Sequence, residues 1–293
     1  MGAGEDVLID LLGVLQSAPN GALIVIEEIE LGMHPLALSI LAKHLIEIIA
    51  QKHLQIIVSS HSREFVDAVP REARILIQPG NDEHAVIYSP TTRFAMGELS
   101  GNFEPELCIY CEDDVAEHII HRSLDGTQRR RVNIQPIGTK SALAVQAISH
   151  LRAGIGIRHL VIWDGDVTDA EVHGWIGTNT QQNENVSFCF LPTNQPPERW
   201  IAEMLDCQEG YQAVTQEFEL PSTADAMQLV QRLASLVEHH EIPFIAGQEL
   251  SKNKSVAFDQ LVKCAKHLDS TRFNEINGFV TQALNAAILR GRN

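Results

Sequence analysis

The chain has 293 residues, 44% of them hydrophobic, and carries 22 Lys and Arg against 38 Asp and Glu, a net charge of −16. That length suggests about two domains with real cores, while the lack of an apolar run of about 18 residues or of a leader segment argues against a membrane span and secretion, so a cytoplasmic protein is expected. Five irregularly spaced cysteines argue against a disulfide framework, and the acidic balance is awkward for nucleic-acid binding, which needs Lys and Arg.

Apolar spacing predicts a helix over 4–17, a strand over 22–27, a helix over 35–51, a strand over 54–59 and a helix over 62–68. Strands near 73–78 and 84–88, divided by Pro79-Gly80-Asn81-Asp82, read as a hairpin or a late strand pair. Ser89 to Pro105 lacks periodicity and reads as a linker. Beyond it come strand 106–111, helix 114–124, strand 132–136, helix 140–152, strand 158–163, a polar loop 167–185, strand 186–191 and helix 197–206. Such alternation implies an α/β unit with a parallel sheet and right-handed crossovers. Residues 222–293 read as mostly helical, over 224–239, 255–268 and 273–289.

Two of these strands end in acids. Ile109-Tyr110-Cys111 runs into Glu112-Asp113-Asp114, and Leu160-Val161-Ile162-Trp163 runs into Asp164-Gly165-Asp166. Short apolar runs of this kind read as buried parallel strands, and the carboxyl edge of an open α/β sheet is where sites form. Acids converging there repel one another unless a cation neutralises them, and hard oxygen ligands suit Mg²⁺ or Mn²⁺. Cys108 and Cys111 form a C-x-x-C, but residues three apart on a strand face opposite ways, so two buried structural thiols are expected.

The acidic pattern resembles the TOPRIM domain of topoisomerases, primases and some nucleases, with Glu112 after the first strand and Asp164 and Asp166 as the Asp-x-Asp after the third. Upstream, Leu23-Ile24-Val25-Ile26 before Glu27-Glu28, and a turn ending in His34-Pro35, look like the Walker B strand and D-loop of an ABC-type ATPase. His61, after the strand Gln55 to Val58, stands at that family's switch histidine, and Gly2-Ala3-Gly4-Glu5 stands at its signature motif. An ABC-type ATPase followed by TOPRIM is the organisation of the OLD (overcoming lysogenisation defect) family of ATP-associated nucleases. The resemblance divides the chain into an ATPase part over 1–95, a Rossmann-like TOPRIM domain over 104–210 and a helical extension over 211–293.

By this resemblance the protein is a Mg²⁺- or Mn²⁺-dependent DNA endonuclease, dimeric through its ATPase part and serving phage defence. Glu112 is implied as ligand or general base, Asp164 and Asp166 as metal ligands, and Lys140, in Gly138-Thr139-Lys140-Ser141, as a phosphate contact. Glu198 is either a ligand of a second ion or simply a first-turn helix acid. The second acid expected four residues after Glu112 is Ala116, which leaves Asp113 and Glu117 as alternatives. Glu28 would position the water in ATP hydrolysis, with His61 either sensing the γ-phosphate or capping the next helix.

No Gly-x-x-x-x-Gly-Lys-[Ser/Thr] occurs, and Glu27 stands where the family has aspartate. ATP binding is therefore expected only with a Walker A loop from a missing N-terminal segment or a partner chain. The arginine triplet Arg129-Arg130-Arg131 and the lysines Lys252, Lys254, Lys263 and Lys266 are the candidate DNA contacts, against the commoner reading of solvated surface. Two rivals remain: a response-regulator receiver, and a non-catalytic assembly or DNA-binding subunit with an inert acidic site.

Overall fold

The computed structural model describes residues 3–78, 84–153, 156–177 and 185–286, and the chain divides into two compact units, Met1–Glu104 and Pro105–Asn293. It is an α/β protein, as the alternation of elements predicts.

The first unit contains α1 (Ala3–Ser17), β1 (Leu23–Ile26), α2 (Pro35–Lys52), β2 (Gln55–Val58), α3 (Arg63–Ala68), β3 (Ile75–Gln78), β4 (Ala85–Tyr88) and α4 (Thr92–Ser100). Helix α2 starts where Pro35 needs no hydrogen-bond acceptor and where His34 Nδ1 accepts from the Leu36 N–H at 3.3 Å. The Lys52 ammonium donates to the carbonyls of Leu15, Gln16 and Ala18 at 3.1, 2.6 and 2.8 Å, meeting the negative end of α1. Strands β1 and β2 pair in parallel with Leu23 opposite Gln55. Ile24, Ile26, Ile56 and Val58 pack on a core of Leu15, Ile29, Leu38, Leu41, Leu45 and Phe65. The opposite face of the same strands leaves Leu23, Val25 and Ile57 58%, 63% and 61% exposed.

Strands β3 and β4 pair antiparallel, as the hairpin reading expects, while Pro79 to Asp82 lie outside the described residues. The stretch read as a linker holds a helix instead. Thr91 caps α4 by accepting from the Phe94 N–H at 3.2 Å, Gly101 ends it at φ 74°, and Phe94 is fully buried beside Leu76 and Ile87. A cap and one buried aromatic override the weak propensity of a nine-residue segment containing Gly and Ser.

The second unit runs β5 (Leu107–Cys111), α5 (Asp114–Ser123), α6 (Gly126–Arg131), β6 (Val132–Pro136), α7 (Lys140–Ala153), β7 (Arg158–Trp163), α8 (Asp169–Ile176), β8 (Val186–Phe190) and α9 (Pro197–Leu205). It continues with α10 (Gln208–Phe218), α11 (Thr223–Ser235), α12 (Ile242–Glu249), α13 (Lys254–Leu268) and α14 (Thr271–Asn285). The four strands are all parallel, in the order β6-β5-β7-β8. Every residue of β5 and β7 is buried, which is why β5 and the Leu160–Trp163 part of β7 read as apolar runs, while β7 also buries Arg158 and His159 at its start.

Leu107, Ile109 and Cys111 point into a large core built with α5, α9 and the five C-terminal helices, whereas Cys108, Tyr110, Val161 and Trp163 face α7 and α8. Cys108 and Cys111 thus lie on opposite faces, and none of the five cysteines is in a disulfide. The C-terminal helices share the core of the sheet and do not form a separate one.

Helices α6, α8, α10 and α12 were not evident from apolar spacing. Local caps hold two of them: Asp125 with Gln128 closes a capping box on α6, and Thr168 with Glu171 closes one on α8, inside the stretch read as a polar loop. Residues 178–184 of that loop lie outside the described residues.

Candidate functional site

The sheet order places β5 and β7 side by side, with the connection from β5 leading to one side and β7 continuing to the other. Their carboxyl ends therefore form the topological switch point, the crevice where open α/β sheets take ligands. Glu112 and Asp113 follow β5 directly, and Asp164 and Asp166 follow β7.

Asp164 is 7% exposed, and its Oδ1 is buried without a hydrogen-bond partner. Burial, and then the charges of Asp113, Glu112, Asp166 and Glu198, push its carboxyl up to about 8. Glu112 is also raised, first by burial; the backbone N–H of Lys140 opposes this by donating to its carboxylate. Asp113 caps α5, its Oδ1 accepting from the Val115 and Ala116 N–H groups at 3.0 Å each, and burial raises its carboxyl too. Asp166 is exposed at the rim.

Gly165 is required here by packing. A Cβ at this position would stand 2.3 Å from the Thr193 methyl carbon and 2.4 Å from the Thr193 carbonyl oxygen, so the loop after β8 lies directly against it. Gly138, at φ 123°, donates its N–H to the Glu112 carbonyl at 2.7 Å and ties the turn before α7 to the end of β5. Lys140 opens α7, and its ammonium lies 3.9 Å from Glu171 Oε1.

Of the two alternatives beside Ala116, Asp113 is the one whose charge raises Asp164, while burial and then Glu117, Asp113 and Asp164 together raise the Cys111 thiol. Glu117 lines a separate cavity of about 190 Å³ with His121, Arg129, Val132, Asn133 and Ile134. Ala116 itself is fully buried in the core.

Glu198, in the first turn of α9, is 2% exposed, and its Oε1 lies 3.1 Å from His240 Nδ1. Its carboxyl is raised by burial and by Asp113, against the opposing effect of His239 and His240. Among the described residues, the set of three whose ligand atoms all lie within 4.8 Å of one another is Glu198, His239 and His240. Glu112, Asp164 and Asp166 act on one another by charge but do not form such a set. The two histidines carried no motif, since they lie some forty residues past Glu198 and are joined to it only by folding.

The basic candidates are largely engaged within the chain. Arg131 is buried in an ion pair with Glu106, and Arg129 donates to the Leu124 carbonyl. Lys254 pairs with Asp114 at 3.6 Å, Lys263 with Glu217 at 2.6 Å, Lys266 donates to the Arg122 carbonyl at 2.6 Å, and Lys252 lies over the Phe218 ring.

In the first unit, Glu27 and Glu28 follow β1 and are exposed, with Glu28 at φ 47° and its N–H donating to Ser59 Oγ at 2.9 Å. The link to His61 runs through Glu30, a residue the motif reading passed over. Glu30 accepts from Ser60 Oγ at 2.7 Å and from the His61 N–H at 2.6 Å. Although burial pushes its carboxyl up, these hydrogen bonds hold it below its ordinary value. His61 is exposed and does not cap α3; Ser62 does, accepting from the Phe65 N–H. Gly2 lies outside the described residues, while Gly4 and Glu5 fall within α1.

No helix among the described residues is long and apolar enough to cross a membrane. No curated protein matches the chain. Residues 1–67 match the family described as AAA domain, putative AbiEii toxin, Type IV TA system. The N-terminal part of the chain is therefore similar to ABC/AAA-type ATPase domains over α1 to α3, the segment that carries Glu27, Glu28, Glu30 and His61.

Proposed function

We propose that the second unit is a TOPRIM-type endonuclease that hydrolyses DNA phosphodiester bonds, and that the chain is of the OLD type, its ATPase-like part regulating cleavage in phage defence. The observation that carries this reading is Asp164: a carboxylate oxygen without a partner, buried at the switch point of a parallel sheet among Glu112, Asp113, Asp166 and Glu198. A buried acid left unpartnered among acids is costly, and a hard divalent cation bound by oxygen relieves that cost. The residues present fit Mg²⁺ or Mn²⁺, with Asp164, Asp166 and Glu112 as its holders and Asp113 supplying its second oxygen.

When bound, such an ion supplies Lewis-acid activation of the phosphate and charge stabilisation of the leaving oxygen. Glu112, held by the Lys140 N–H with its carboxyl raised by burial, is placed to take the proton of the attacking water. Lys140, at the positive end of α7, sits on the rim to orient a phosphate oxygen. Cytoplasmic location and homodimerisation through the first unit belong to the same reading.

ATP enters this reading only with a Walker A loop from another segment or a partner chain. The apolar outer face of β1 and β2, with Leu23, Val25 and Ile57 exposed, supports a layer of ATPase fold packing there. The matched family's description names a toxin of a toxin–antitoxin system, a setting compatible with phage defence.

A second reading, a non-catalytic assembly subunit, is favoured by one observation: the basic residues expected to meet DNA are largely engaged in intramolecular contacts. Incubating the purified chain with supercoiled plasmid and Mg²⁺ or Mn²⁺ separates the two. Nicking or linearisation lost in both Asp164→Ala and Glu112→Ala supports the nuclease. Intact plasmid, with and without a Walker A-bearing partner and ATP, supports the subunit.

A further inference from the structure

Arg199 follows Glu198 on α9, and its guanidinium donates to the carbonyls of Ala234, Leu236 and Val237 at 3.3, 2.6 and 3.2 Å. Those three carbonyls belong to the segment that runs directly into the 3₁₀ turn His239–Glu241. The clamp therefore fixes where the turn begins, and it brings two consecutive imidazoles to the buried Glu198 carboxylate. Neighbouring histidines on an open chain tend to diverge. Here their ring centroids are 3.9 Å apart, and one ligand atom of each lies within 4.8 Å of the other and of a Glu198 oxygen.

We propose that Glu198, His239 and His240 form a binding site for a divalent cation that accepts imidazole nitrogen, with Zn²⁺ as its best-fitting occupant. Two ligand atoms at about 2.1 Å from one ion, separated by a roughly tetrahedral angle, stand about 3.4 Å apart. The Glu198 Oε1 to His240 Nδ1 separation of 3.1 Å already has nearly that spacing. His239 supplies the third ligand with a small adjustment of an imidazole that is only part-buried. His240 is exposed, so the fourth coordination position opens to solvent, as in a three-ligand site that can take a water.

The donor set differs in kind from the oxygen cluster at the strand ends. Mg²⁺ prefers oxygen and holds its waters, so it competes poorly for two imidazoles, whereas zinc accepts them readily. Glu198 is 2% exposed, and the donors of Arg199 are directed to backbone carbonyls, so histidine is its observed side-chain partner. The site goes beyond the nuclease reading and does not depend on it, because it is tested by binding and not by cleavage.

The test is calorimetric titration of the full chain with Zn²⁺ in saturating Mg²⁺, together with the visible absorption of the Co²⁺-substituted protein. His239→Ala and His240→Ala, at part-buried and exposed positions, keep the fold, which circular dichroism checks, and each is expected to weaken the tightest Zn²⁺ event by at least roughly ten-fold. Asp164→Asn is expected to retain that event. Glu198→Gln is expected to lose it, with the histidine variants keeping the test decisive if this buried change unfolds the chain. Equal Zn²⁺ affinity and an unchanged Co²⁺ spectrum in the two histidine variants would overturn the proposal.

Discussion

Gly165 lies against Thr193 so closely that a methyl group on its Cα would overlap the Thr193 carbonyl, 2.4 Å away. The neighbour is backbone, which cannot rotate aside. The two acids of the Asp-x-Asp are therefore set by packing between the β7 and β8 loops. Gly165→Ala is expected to lower stability by about 1–3 kcal/mol, and to displace both Asp164 and Asp166. Thermal unfolding measures the first effect, and weakened Mn²⁺ binding by electron paramagnetic resonance measures the second. Unchanged values for both would show that the loop yields freely.

Asp164 also links the site to stability. Its carboxyl is raised to about 8, above an ordinary value near 4, first by burial and then by the surrounding acids. The folded state thus holds this proton more tightly than the unfolded state. Its stabilising contribution is full below about pH 4 and is lost as pH rises through about 8. Asn does not titrate. In metal-free protein, Asp164→Asn is expected to be more stable than the parent at pH 8 by on the order of 1–3 kcal/mol, with the gap closing towards pH 4. Parallel stability curves from urea unfolding at several pH values would contradict this.

The opposite sign holds at Asp259. Arg122 donates to both its oxygens, joining α5 to α13, and that hydrogen bonding, with the charges of Arg122, His118 and His121 behind it, holds the carboxyl below its ordinary range. The resulting stability is present above the unfolded value near 4 and is lost as pH falls through the folded one. Asp259→Asn is expected to cost about 1 kcal/mol at pH 7 and to flatten the loss of stability below about pH 4. Denaturant curves at pH 7 and pH 3 check both parts.

Glu30 ties the turn after β1 to the Ser60-His61 end of β2 through two hydrogen bonds. Replacing it with Ala is expected to cost about 1–2 kcal/mol, the scale of hydrogen bonds to a charged group, and to speed amide exchange at His61. Exchange as slow as in the parent would place the anchoring of His61 elsewhere, for example in the Glu28 N–H to Ser59 bond.

The sequence by itself determined the elements whose residues are chemically committed. A uniformly buried strand such as β5, and the Leu160–Trp163 part of β7, is a run of apolar residues wherever it sits, and Pro35 can begin a helix without any partner. It also determined that Glu112, Asp164 and Asp166 end those strands, because a strand's last residue is a local property. Tertiary structure alone decided which acids share a field: Glu198, on the helix after β8, acts on Asp164 together with Glu112, Asp113 and Asp166. It decided that Arg131 is buried on Glu106 rather than offered to a ligand, and that Gly165 serves Thr193. It decided too that His239 and His240 meet Glu198, through an arginine bonded to backbone carbonyls that carry no side-chain signature. Local periodicity is written in the chain, but a contact between residues forty positions apart exists only once the hydrophobic core has brought them together.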